Sequence, residues 1–248
     1  LSLRGRFFAS FFLRKKSPRK VKTQKIFKRN TLKSSMTKIN FIWSFIYEQT
    51  IHNPRTNEEF HYEEYEKFVN SFIKKVRPTW EEMEMETFDY CEEITGLKWK
   101  KQEIPTYVIK ISCFMPISDP LTIPIQFKDN ETKHIFSLTK ERFIDMLVHE
   151  LIHNLFIQNE KEMRDYFDFI LKKYKEEKFD TAIHLLVHAI HKKILLKFFD
   201  KKRLDEEMEM SSFYPAYKRS WEIVNEKGED SIINEFKSYV AGMPKEKT

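Results

Sequence analysis

The sequence predicts an α+β protein in which a small sheet, mixed or antiparallel, precedes a buried helix and a helical C-terminal part. Three observations lead there. Short runs rich in β-branched and aromatic residues, separated by Pro, Asp and Asn, all lie before residue 139. Long apolar stretches with helical spacing follow them. Only 4 of the 248 residues are glycine and 33% are charged, so helix dominates, with 23 Phe and 10 Tyr available to fill an interior.

Taken in order, residues 39–51 (INFIWSFIYEQTI) have the composition of a strand, and 52–58 (HNPRTNE) that of a turn. Helices are expected at 59–76 and 79–95, divided at Pro78, with the acidic run between Glu81 and Glu93 as a solvated face. Residues 107–114 (YVIKISCF), 122–127 (TIPIQF) and 134–136 (HIF) read as short strands. The segment 122–127 is assigned to the sheet edge because Pro124 cannot donate to a neighbour. Thr139 then caps a helix, with Leu138 and Phe143 placed as a hydrophobic staple. A second buried helix is expected at 180–199, a last one at 231–240, and a frayed Lys-rich tail at 241–248.

The net charge of +6 resides at one end. Residues 1–35 carry 12 Lys and Arg and no acid, which leaves 32 basic against 38 acidic residues in the remainder. A nucleic-acid role for the folded body therefore has no electrostatic support. The leader has three readings: a targeting segment, a basic arm for nucleic acid or anionic membrane, or a segment outside the working protein, since the chain opens on Leu1 and its first methionine is Met36. Residues 36–240 suffice for one domain. The leader's apolar pieces are too short for a secretory signal or a membrane span, and Cys91 and Cys113 lack metal or redox spacing, which places the protein in the cytoplasm as an expectation. Oligomeric state is not legible.

The chemistry is concentrated in FIDMLVHELIHNLF, residues 143–156, where His149, Glu150 and His153 form an HExxH box. Residues four apart on a helix lie one above the other, so the two imidazoles can hold one cation while Glu150 projects about 100° away. The surrounding residues are apolar on nearly every side, and two histidines with a carboxylate in such a helix need a partner. The bland alternative is a pair of hydrogen-bonded core histidines beside a buried glutamate. In the second helix, Thr181, His184, His188 and His191 recur at helical spacing as one polar stripe on an apolar rod. A tetrahedral catalytic zinc needs a third protein ligand. His188, mid-helix, is the first candidate and His184 the second; His191 is placed on the rim because Lys192 and Lys193 follow it.

The box and its setting resemble the zincin metallopeptidases, over residues 139–156 and, by extension, 180–199. That resemblance implies a zincin-like fold with one Zn2+ per chain, held by His149, His153 and a third ligand. It also implies a zinc-bound water activated by Glu150 as general base, and hydrolysis of a peptide or protein substrate bound along an edge strand. The metzincin extension is absent, because Phe156 and Asn159 stand where glycine and histidine are required. A gluzincin-like spacing fits, with histidine replacing the usual glutamate. An oxyanion partner is sought in SSFYPAYKRSW, where Tyr217 is the choice beside Tyr214 and Arg219; packing of a C-terminal helix is the competing role for these aromatics. Two other classes stay open: a zinc-stabilised, non-catalytic binding protein with a closed metal site, and a nucleic-acid partner tethered by the leader.

Overall fold

The computed structural model describes residues 37–51, 61–112, 116–129, 132 and 134–242. The leader, the 52–58 turn, Cys113 and most of the expected tail lie outside them. The described chain is α+β, with a small mixed sheet and a helical C-terminal part.

Strand β1 (Lys38–Ile42) pairs parallel with β2 (Glu103–Ser112), and β2 pairs parallel with β4 (Leu121–Lys128). Two short strands, β3 (Ile117–Ser118) and β5 (Ile135–Ser137), run antiparallel to β4 on its far side. The edge assignment of 122–127 is thereby corrected: β4 is interior. Pro124 removes a single ladder donor, and the strand keeps enough pairing on both sides to stay central. The sheet's edges are β1 on one side and β3 with β5 on the other.

The stretch 39–51 is also not one strand. Beyond β1, Ser44 turns the chain into helix α1 (Phe45–Ile51), its Oγ accepting from the Tyr47 amide at 3.3 Å, the N-cap geometry. Glu48 then faces inward, accepting from the Trp43 indole and the Lys110 amide, each at 2.6 Å. Its carboxyl is raised by burial, partly offset by those hydrogen bonds.

The two helices expected around Pro78 are one, α2 (Tyr62–Thr95). Val69, Ile73, Val76, Trp80 and Met83 continue one buried stripe straight through the proline. Burying five such side chains outweighs the roughly 3 kcal/mol that an interior proline costs. The helix ends where expected, at Gly96 in the left-handed region (φ +75°), whose N–H caps Glu92. The acidic run faces mostly solvent, except that Glu84 accepts from Trp80 and from the β1 amide of Ile39.

Helix α3 (Lys140–Gln158) starts at Thr139, whose Oγ accepts from the Arg142 amide at 3.2 Å. It lies between the sheet and helix α5 (Phe179–Phe198), which explains a core rod with apolar residues all round. Helices α4 (Glu160–Lys173), α6 (Lys201–Ser211), α7 (Pro215–Lys227) and α8 (Glu229–Gly242) complete the C-terminal part. Among the described residues, no helix is long and apolar enough to cross a membrane.

Candidate metal centre

One face of α3 presents His149 and His153 to α5. Their Nε2 atoms approach to 3.2 Å. Two nitrogens on a tetrahedral zinc with bonds of about 2.0–2.1 Å stand about 3.3 Å apart, so the pair is already spaced for one cation. His184 on α5 completes the group: a nitrogen of each of the three imidazoles lies within 4.8 Å of the others. The Nδ1–H of His184 donates to the Asp180 carbonyl at 2.7 Å. A carbonyl only accepts, so the proton is fixed on Nδ1 and the Nε2 lone pair is the one turned to the cluster.

All three rings are buried, His149 most exposed at 7%. Burial holds His149 well below the ordinary imidazole range, and the neighbouring His153, His191, His184 and His188 push in the same direction. Neutral imidazoles are what a divalent cation binds.

The structure brings His184, the second candidate, into the group; His188 stands beside it. The His188 ring lies 5.5 Å from His184 and 5.8 Å from His149 between centroids, and it stacks on Trp221 at 4.2 Å and 4°. Trp221 is in turn pinned by donating its indole N–H to Ser211 Oγ at 2.7 Å. His191 corrects the rim assignment, for it is completely buried. Lys192 and Lys193 reach outward to Asn225, Glu229 and Asp230, and one helical step earlier His191 points inward, its ring 5.6 Å from that of His149. Burial lowers its pKa to about 3, helped by Arg203 and Arg142.

Glu150 occupies a second face of α3, toward the sheet. Ser118 Oγ donates to its Oε2 at 2.5 Å. Ser118 is itself held, because Asn154 Nδ2 donates to its carbonyl at 2.7 Å and Gln158 Nε2 to Asn154 Oδ1 at 2.7 Å. Sequence reasoning passed over Ser118 and Asn154, although Glu150, Asn154 and Gln158 recur every four residues as a polar stripe. Tyr217, 8% exposed in the first turn of α7, sets its ring 4.2 Å from His184 and 6.0 Å from His149. Thus Tyr217 adjoins the group, whereas Arg219 pairs with Glu177 at the surface.

Beyond His149 the seam between α3 and α6 ends in four ionisable side chains. Arg203 pairs with Asp145 at 2.8 Å and Arg142 with Glu207 at 3.0 Å. Burial, then Asp145, raises the Glu207 carboxyl to about 8 against the pull of both arginines. Nothing in the sequence pattern links Arg203 and Glu207 to Arg142 and Asp145, sixty residues earlier.

No family model, curated protein or solved structure matches the chain.

Proposed function

We propose that the protein is a zinc-dependent hydrolase of peptide bonds with a zincin-like centre, its cation held by His149, His153 and His184. The supporting observation is the convergence of three buried imidazole nitrogens, two on α3 and one on α5, with Glu150 on the adjoining face of α3. Three histidine donors suit zinc and leave a coordination position open. When bound, the zinc supplies Lewis-acid polarisation of the scissile carbonyl. Glu150 takes the proton of the attacking water and returns it to the leaving amine, its carboxylate kept in place by Ser118. Tyr217 stabilises the developing oxyanion through its hydroxyl.

The test is Glu150→Gln in the zinc-loaded protein, with cleavage of unfolded casein as the assay. Zinc content stays unchanged while hydrolysis falls by at least about a hundredfold, the scale of lost general-base catalysis. Undiminished turnover removes Glu150 from the mechanism. A second function is favoured by the nearness of His188 to the buried group: a closed, non-catalytic site with four imidazoles. X-ray absorption separates the two, since hydrolysis needs three imidazoles and an oxygen donor.

A further inference from the structure

We infer that the corner between α6 and α7, with Phe213 and Tyr214 at its tip, is the subsite that receives an apolar side chain of the peptide substrate. It deepens the hydrolase function proposed above and rests on it. Turn positions ordinarily carry Gly, Pro, Asn, Asp or Ser. Here Met210 (51% exposed), Phe213 (78%) and Tyr214 (44%) crowd into five residues, so three of the nine large apolar side chains exposed among the described residues share one corner. None of them adds to the core at that exposure, and a clustered apolar surface of this kind marks a contact site.

The corner is continuous with the candidate metal centre. The Tyr214 ring lies 5.6 Å from that of Tyr217, and the Tyr217 ring 4.2 Å from that of His184. One aromatic ring therefore separates the exposed tip from a candidate ligand. His149 and Tyr217 keep the largest exposed fractions in the buried cluster, 7% and 8%. The base of the corner is rigid. Ser211 accepts from Trp221, which stacks against His188, and Pro215 opens α7 at its first turn. A peptide whose carbonyl reaches the histidines lays a neighbouring side chain across Phe213 and Tyr214, and an aromatic or large aliphatic residue covers the most apolar surface there.

The experiment uses the full chain loaded with Co2+ and two small probes, L-phenylalanine hydroxamate and glycine hydroxamate, titrated by visible absorption. Hydroxamates bind the metal whatever their side chain, so the ratio of dissociation constants isolates the side-chain contact. The phenylalanine probe is expected to bind about tenfold tighter or better, the effect of burying a benzyl group at a partly open site. The double variant Phe213→Ser, Tyr214→Ser should lower that ratio toward one with metal content and glycine hydroxamate affinity unchanged. Phe213→Trp should preserve it. Equal affinities in the unmodified protein, or a preference that survives the double variant, would overturn the subsite while leaving the hydrolase function standing. Absence of any metal-centred spectral response would overturn both.

Discussion

His191→Leu tests the buried seam quantitatively. The imidazole is fully buried, and neither ring nitrogen has a hydrogen-bond partner among the described residues. Its pKa of about 3 lies below the ordinary 6.5. The folded protein therefore keeps it neutral while the unfolded chain takes up a proton, and its contribution to stability is lost progressively as pH falls from 6.5 toward 3. Between pH 7 and 5.5 this amounts to about 1.2 kcal/mol. Glu207, raised to about 8, acts with the opposite sign over the same interval, since the folded state binds its proton more tightly. The pH dependence of the unmodified protein alone thus mixes both effects. Leucine has similar volume and does not titrate, so the difference between variant and unmodified protein isolates His191. The assay is urea unfolding followed by tryptophan fluorescence at both pH values, with chelator present. The unmodified protein should lose about 1.2 kcal/mol more than His191→Leu on going to pH 5.5. At pH 7 the substitution itself should be close to neutral or stabilising, because it removes two unpartnered nitrogens. Equal losses in both proteins would show that His191 titrates in the folded state, and the enclosed seam would be wrong.

Further outcomes follow from single contacts. His184→Ala should weaken zinc by at least on the order of a hundredfold in competition with a chromophoric chelator, and His188→Ala by less, because only His184 joins the ligating group; the reverse order would exchange their roles. Arg203→Met leaves Asp145 buried beside only the more distant Arg142, so unfolding at pH 7 should cost about 3 kcal/mol less than in the unmodified protein. A change below about 1 kcal/mol would mean that the pair is solvated. Gly96→Ala meets no atom within 4 Å, so its loss of about 1 kcal/mol should report left-handed backbone strain alone.

The centre was legible wherever it depended on helical periodicity. His149 and His153 on one rod, and His184, His188 and His191 on another, follow from spacing alone, as does the Thr139 start of the first rod. Judging His191 by its neighbours Lys192 and Lys193 failed, because adjacent helical residues point about 100° apart; its distance of three from His188 was the better guide. The choice between His184 and His188 depends on how far α5 slides along α3, which no local pattern records. Residues 39–51 misled for a different reason: aromatic and β-branched residues suit β1 and α1 alike, and Ser44, the cap between them, sits inside the run. Pro78 was given its local cost without the buried stripe that crosses it. Pairing partners decided the sheet edge, and Pro124 speaks only for its own donor. Ser118, brought to Glu150 by the short β3 strand, is a tertiary neighbour with no sequence signature.

Metal analysis of the purified protein bears most directly on the convergence of His149, His153 and His184. About one zinc per chain is expected, with three imidazole nitrogens at about 2.0–2.1 Å by X-ray absorption, and loss of that zinc in His184→Ala. Metal-free protein whose unfolding is indifferent to added zinc, or zinc retained in full after His184→Ala, would contradict a centre built from these three residues.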